Sequence, residues 1–360
     1  MQTKVAMIMA GGTGGHVFPA LAVADALRNH GVTVHWLGTR SGIESKIIPL
    51  AGIDISYINI QGLRGKGLLR LLAAPFKLFY ATLQAINICL KLKPDFVLGM
   101  GGFVTGPGGL AARLLAKPLI IHEQNAIPGF TNVLLSKIAT RILEAFPTAF
   151  KASKKIYHTG NPVRDSILKL GVPDQRYLDR KENIRILVVG GSLGAQALNE
   201  TVPQALSLLG SDHKVDVWHQ TGKQKTEQTM QIYQDVNIDA KIVEFIDDMD
   251  SAYQWADLII CRAGAMTIAE ICAVGLASIL VPYPHAVDDH QTANAQYLVA
   301  AQAGILIQQT EFTSHKLANE LHKLFITGRE NLLAMANRAF KLAQVNATQA
   351  VMQHCLEVAK

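Results

Sequence analysis

Cysteine is scarce in this chain of 360 residues: there are four, at positions 89, 261, 272 and 355. None forms a CxxC pair, which argues against a disulfide framework and a cysteine zinc site and points to a reducing cytoplasm. Aromatic residues are also few, at 6%, while Gly, Ala, Leu, Ile and Val dominate, as in α/β proteins whose sheets are covered on both faces. Long apolar runs are missing. Val5–Ala10 is too short for a secretory signal and runs directly into glycines. Leu78–Leu90 is uncharged but too short to span a bilayer. No segment is low in complexity.

Charge is modest but unevenly spread. The net charge is +6, yet residues 1–160 hold 17 Lys and Arg against 6 Asp and Glu, and the remainder holds 17 against 22. A basic half joined to an acidic half suggests two different partners. The basic half suits an anionic membrane or an anionic substrate. Nucleic acid is disfavoured, because no helix-turn-helix, RNP or zinc-finger pattern accompanies the charge. Around Leu63–Phe79, Arg64, Lys66, Arg70 and Lys77 punctuate a very apolar helical pattern. It reads either as a buried helix behind a glycine-rich loop or as a helix lying on a membrane surface.

What the chain does have is a repeated strand–glycine–helix signal. Strands are expected at Val5–Ala10, Val32–Leu37, Ile55–Ile60, Phe96–Met100, Leu119–His122, Arg141–Ala145 and Ile156–Thr159, with helical patterns between most of them. The pattern restarts at Arg185–Val189 and continues through Val215–Gln220, Lys241–Ile246, Leu258–Cys261, Ser278–Pro282 and Ile305–Gln308. Short apolar strands alternating with helices imply parallel sheets built from βαβ units. The expectation is two doubly wound α/β domains. Residues 1–161 form the first, together with a returning C-terminal helix over about 341–360, and 162–340 form the second. The Gly160-Asn161-Pro162 turn marks the boundary, and the pattern from Asn331 to Lys360 reads as helical throughout.

Three glycine turns follow strands: Gly11-Gly12-Thr13-Gly14-Gly15-His16, Gly101–Gly109, and Gly190-Gly191-Ser192-Leu193-Gly194. Glycines let backbone amides approach a ligand, and a helix N-terminus favours phosphate. The dinucleotide fingerprint fails, because Val17 and Leu193 stand where glycine is required, and no Walker pattern is present. Arg40 after the second strand keeps an NADP enzyme open as an alternative. His16, at a helix start, is expected to stay neutral and able to accept a proton from a hydroxyl. Glu123 reads either as an assisting base or as a loop anchor, and Asn125 offers a donor and an acceptor to a sugar. Thr267 and Glu270 read as a capping box or, for Glu270, as an acceptor from ribose hydroxyls. Asp248 and Asp250 form a D-x-D that suits either a helix start or a divalent cation.

Taken together, Gly11–His16 with Val17-Phe18-Pro19, Gly62–Gly67, Leu98–Gly109, His122–Asn125, Gly160–Arg164, Gly190–Ala195, Phe245–Met249, Cys261–Glu270 and His290-Gln291 with Asn294-Ala295 are similar to the motifs of one family. Along nearly all its length the chain resembles the MurG family of bacterial glycosyltransferases. The resemblance implies a GT-B fold, two Rossmann-like domains facing across a cleft. It implies transfer of GlcNAc from UDP-GlcNAc to lipid I, undecaprenyl-pyrophosphoryl-MurNAc-pentapeptide, giving lipid II for peptidoglycan, with inversion and without a cofactor or metal. By the same resemblance Ser192 contacts the diphosphate and the Ile246 backbone contacts uracil. Ala265, Met266, Thr267, Ile268 and Ala269 surround phosphate and ribose, Glu270 takes the ribose hydroxyls and Gln291 the GlcNAc hydroxyls. Thr13, Gly14, Gly15 and Asn125 reach the donor sugar, Arg164 approaches from the hinge, and His16 or Glu123 is the base. The enzyme would sit peripherally on the cytoplasmic face of the inner membrane, beside other wall-building proteins. Two alternatives stand next to it: an NADP-dependent oxidoreductase and a non-catalytic nucleotide-sugar-binding module.

Overall fold

Val5–Met9 forms the first strand, β1. Its side chains alternate, with Ala6 and Ile8 in one buried cluster and Met7 and Met9 in another. A strand apolar on both faces belongs in a sheet covered on both sides. In the computed structural model, which describes residues 3–60, 74–178, 180, 183–210 and 213–359, that is its setting. With β2 (Thr33–Gly38), β3 (Asp54–Tyr57), β4 (Phe96–Gly99), β5 (Leu119–Glu123), β6 (Arg141–Glu144) and β7 (Ile156–His158) it forms a seven-stranded sheet of order β3-β2-β1-β4-β5-β6-β7. Every pairing is parallel. The Gly14–Asn29 helix covers one face, joined there by Val351, Met352 and Cys355 of the Ala347–Val358 helix. Ala81, Ala85 and Cys89 of the Ala74–Leu92 helix cover the other, beside Ala111 and Ala112 of the Thr105–Leu114 helix.

The second sheet is built from β8 (Ile184–Val189), β9 (Val215–Gln220), β10 (Lys241–Val243), β11 (Leu258–Cys261), β12 (Ala277–Leu280) and β13 (Ile305–Leu306). Its order is β10-β9-β8-β11-β12-β13, again parallel throughout. The first compact unit is Met1–Arg164 with Val345–Lys360, and the second is Asp165–Gln344. Both are doubly wound α/β units, as the strand–helix alternation predicts.

In each sheet the order reverses once, between β1 and β4 and between β8 and β11. At such a switch point the two loops leaving the strand ends diverge and open a crevice. The loops that leave these strands are Ala10–Thr13, Met100–Val104, Gly190–Ala195 and Arg262–Gly264, so the glycine motifs stand at the switch points.

The structure departs from the sequence reading in two places. The C-terminal pattern is not one helix: Glu330–Phe340 and Ala347–Val358 are separate, and the chain passes between units in the break. Neither Gly nor Pro marks that break, so helical spacing alone runs through it. Strands β3, β10, β12 and β13 end two or three residues earlier than their apolar runs suggest. The Gly62–Gly67 loop and the first part of the Leu63–Phe79 stretch lie outside the described residues. Among the described residues no helix is long and apolar enough to cross a membrane.

Candidate active site

The first loop turns directly into a helix. Thr13 is the N-cap in extended conformation, and Gly14, Gly15 and His16 make the first turn, which carries no acidic side chain. The first amides of a helix have no intrahelical acceptor, and the helix dipole leaves this end positive. The half-buried His16 ring rests on the loop after β4: a Cβ on Gly101 would stand 2.5 Å from His16 Cδ2 and 2.9 Å from Nε2, at a φ of +106°. Glycine at 101 is therefore a seat for the imidazole. That loop is pinned from below, as Gln124 Nε2 donates to the Met100 carbonyl at 2.7 Å and Asn161 Nδ2 donates to the Gln124 carbonyl at 3.0 Å.

Glu123 is not placed as a base. Its Oε1 accepts from Asn125 N at 2.9 Å and Asn125 Nδ2 at 3.2 Å, and its Oε2 accepts from Gly129 N at 3.0 Å and Asn132 Nδ2 at 2.9 Å. With these donors and almost no exposure, the carboxylate folds the loop that carries Asn125. This corrects the catalytic reading of Glu123 in favour of the anchor. The neighbouring His122 is fully buried against the Gly160 carbonyl at 2.9 Å, and burial pushes it down to about 4.

One functional group was missed. Glu44 is completely buried in the first turn of the Glu44–Leu50 helix. Its Oε2 accepts from Gly12 N at 3.0 Å, and its Oε1 from Thr39 N at 2.9 Å and Thr39 Oγ1 at 2.8 Å. It thus supports the first glycine loop from beneath. The available signal was the set of glycines at 11, 38 and 42, which leave room for its side chain.

The second unit gathers the remaining residues at the C-terminal ends of its strands. Ser192 is exposed in the loop after β8. Ile246 is buried after β10, and its N–H donates to Gln220 Oε1 at 2.9 Å. That backbone N–H is thus engaged inside the fold, which limits the uracil contact expected of Ile246. The loop after β11 leads into the Ala265–Val274 helix, capped by Gly264 and without an acidic residue in its first turn. Met266, Thr267, Ala269 and Glu270 are partly buried, whereas Ala265 and Ile268 are buried. The expected capping box is corrected here. Thr267 is the third residue inside the helix, and Glu270 Oε2 accepts from Tyr253 Oη at 2.8 Å. Gln291 is the second residue of the His290–Ala300 helix, and its Oε1 accepts from Tyr283 N at 2.9 Å. Arg164 is exposed and is the last residue of the first unit before the chain enters the second.

Other candidates resolve into structural roles. Asp248 caps the Met249–Trp255 helix, its carboxylate accepting from Ser251 N at 3.0 Å and Ser251 Oγ at 2.5 Å. Among the described residues no group of three or more His, Cys, Asp or Glu could hold a metal ion. Arg40, the residue on which an NADP reading depends, stacks over the Tyr57 ring at 4.9 Å. All four cysteines are buried, and burial pushes their thiols up, Cys89 to about 11 and Cys272 to about 12.

Two Rossmann-like units with glycine loops at both switch points are the architecture of the GT-B fold. Residues 6–144 match the glycosyltransferase family 28 N-terminal domain and residues 185–352 the glycosyltransferase family 28 C-terminal domain. The chain belongs to glycosyltransferase family 28. It is 52% identical, over 98% of both chains, to a Nitrosococcus oceani protein named UDP-N-acetylglucosamine--N-acetylmuramyl-(pentapeptide) pyrophosphoryl-undecaprenol N-acetylglucosamine transferase. The crystal structure of Acinetobacter baumannii MurG superposes with a TM-score of 0.87 at 46% identity, covering 98% of this chain and 99% of that one. A UDP-GlcNAc 2-epimerase from Neisseria meningitidis shares the fold alone, with a TM-score of 0.68 at 16% identity over 99% of this chain and 100% of that one.

Proposed function

We propose that this chain transfers N-acetylglucosamine from UDP-GlcNAc to the MurNAc hydroxyl of lipid I, giving lipid II for peptidoglycan. The observation that carries the reading is the likeness to the Nitrosococcus oceani transferase, 52% identical over 98% of each chain. The first unit takes the acceptor and the second the donor. Ser192 and the amides opening the Ala265–Val274 helix meet the diphosphate, Glu270 meets the ribose hydroxyls and Gln291 the sugar. Ala265, Met266, Thr267, Ile268 and Ala269 form the wall around phosphate and ribose, and Arg164 approaches from the hinge. Thr13, Gly14, Gly15 and Asn125 face the reacting sugar.

His16 takes the proton of the acceptor hydroxyl. The hydroxyl oxygen then bonds to the anomeric carbon as the bond from that carbon to the β-phosphate oxygen breaks, and the electron pair leaves with UDP. A single displacement of this kind inverts the configuration. Helix N-termini without acidic first turns favour the departing charge.

The enzyme binds peripherally to an anionic membrane surface on its cytoplasmic side. Two features support this: the basic excess of residues 1–160, and the apolar face of the Ala74–Leu92 helix. Phe76, Phe79, Tyr80 and Leu83 are exposed on one side of that helix, opposite buried Ala81, Ala85 and Cys89.

The deciding assay is UDP release from UDP-GlcNAc in the presence of a lipid I analogue. His16→Ala should lower kcat by about a hundredfold or more with donor affinity retained. Full turnover of that variant would remove His16 as the base, and no UDP release by the unmodified chain would remove the reading itself.

A further inference from the structure

Gln220 ends β9 between the two strands whose loops carry Ser192 and Ile246. It pairs with Val189 of β8 on one side and Val243 of β10 on the other. Its side chain is 3% exposed. A primary amide buried this deeply is tolerated only when hydrogen bonded, and this one is bonded at both ends. Nε2 donates to the Gly191 carbonyl at 3.1 Å, and Oε1 accepts from the Ile246 N–H at 2.9 Å. Of the two carboxamide side chains, only glutamine has this reach.

The geometry has a consequence for Ser192. In a trans peptide the carbonyl of one residue and the N–H of the next point in opposite directions. Holding the Gly191 carbonyl onto Gln220 therefore turns the Ser192 N–H away from Gln220. One residue beyond Ser192 the turn is also held, since Lys225 Nζ donates to Leu193 O at 2.9 Å. Gly194 N closes the turn onto Gly191 O at 2.9 Å. The turn is pressed against the loop after β9 so closely that a Cβ on Gly194, at a φ of +68°, would overlap the Thr221 carbonyl.

We propose that Gln220 is a positioning residue of the donor site, its two-ended amide locking the Ser192 turn and the Ile246 segment into one unit. The proposal rests on the assignment of the donor to the second unit. By reciprocity, ordering either segment with ligand favours the other. Base binding and diphosphate binding are then linked through one side chain that touches neither.

Calorimetric binding of uridine and of UDP to the whole chain tests this, with melting temperature measured alongside. Gln220→Glu keeps an acceptor for Ile246 N–H but sets a carboxylate oxygen against Gly191 O. Uridine affinity should then stay within about twofold, while UDP affinity falls by about tenfold or more. Gln220→Met releases both segments, and both affinities should fall. Unchanged UDP affinity in either variant, or an equal loss of uridine and UDP in Gln220→Glu, would overturn the proposal. Hydrogen exchange on the unmodified chain guards against misfolded variants: saturating uridine alone should slow exchange across residues 190–195 as well as 244–248. Slowing confined to 244–248 would overturn the linkage. An unmodified chain that bound no UDP at all would overturn the donor assignment, and this proposal with it.

Discussion

Glu44→Gln tests how the first glycine loop is held. The substitution keeps the volume of the side chain and removes its charge. Oε1 can continue to accept from Thr39 N and Thr39 Oγ1, now as a neutral amide. The other end becomes an NH2 group facing the Gly12 N–H, which Oε2 now receives at 3.0 Å. Two donors then oppose one another in a site with no exposure of residue 44. Leaving a buried donor unsatisfied costs about 1–3 kcal/mol, and weakening the charge-assisted bonds to Thr39 adds about 1 kcal/mol. A loss of about 3 kcal/mol lowers the melting temperature of a unit of this size by about 6–12 °C. Trp36 is the only tryptophan of the first unit, and its indole donates to the Ala10 carbonyl at 2.9 Å beside the loop. Its emission, read with scanning calorimetry, reports this unit. Turnover should fall with stability, since the same bond places Gly12 ahead of Thr13 and the helix start. A melting temperature within about 1 °C of the unmodified chain, with unchanged turnover, would refute the reasoning.

Three other outcomes are expected. Gly101→Ala puts a methyl group 2.5 Å from the His16 ring at a φ of +106°; kcat should fall by about tenfold or more with UDP affinity retained, and an unchanged kcat would mean the ring is not seated there. Acid should weaken both units: burial pushes His122 down to about 4 and His219 to about 3 from an ordinary 6.5. The unfolded chain gains those protons below 6.5 while the folded chain refuses them, so stability is full above that pH and falls towards the folded values. At pH 5 each unit loses about 2 kcal/mol, and His219→Gln should flatten the pH dependence of the second unit in urea titrations. Phe76→Ser with Phe79→Ser should reduce co-sedimentation with phosphatidylglycerol vesicles by about fivefold or more while UDP affinity stays unchanged; equal sedimentation would move the membrane contact elsewhere.

Much of the fold was legible because parallel strands buried on both faces must be apolar along their whole length. Val5–Met9 and Leu258–Cys261 show this plainly. The glycine loops were legible because backbone amides can crowd a ligand, or another loop, only where side chains are missing. The place of His16 in the first turn of a helix was legible from the glycines before it and the apolar pattern after it. These are local properties, set by neighbours in sequence, and they suffice for fold class, domain number and the strands that frame each loop.

Partner choice among buried polar groups was not legible. Glu44 itself carries no signal in its local sequence, yet its carboxylate serves Gly12, thirty-two residues away. Glu123 reads equally as an assisting base or a loop anchor until its oxygens are found filled by Asn125, Gly129 and Asn132. Glu270 has the spacing of a capping box with Thr267, but the helix starts earlier, at Ala265, and Tyr253 takes its oxygen. Gln220 is one polar residue at the end of a strand until the sheet order sets it between β8 and β10. The physical reason is common to all four. Backbone pattern depends on period and sterics that a short window contains. A buried side chain's hydrogen bonds depend on which distant segments the sheet order brings within about 3 Å. The sequence alone therefore determined two doubly wound domains with glycine loops at their strand ends. Tertiary structure alone decided which polar residues face those loops and which hold them in place.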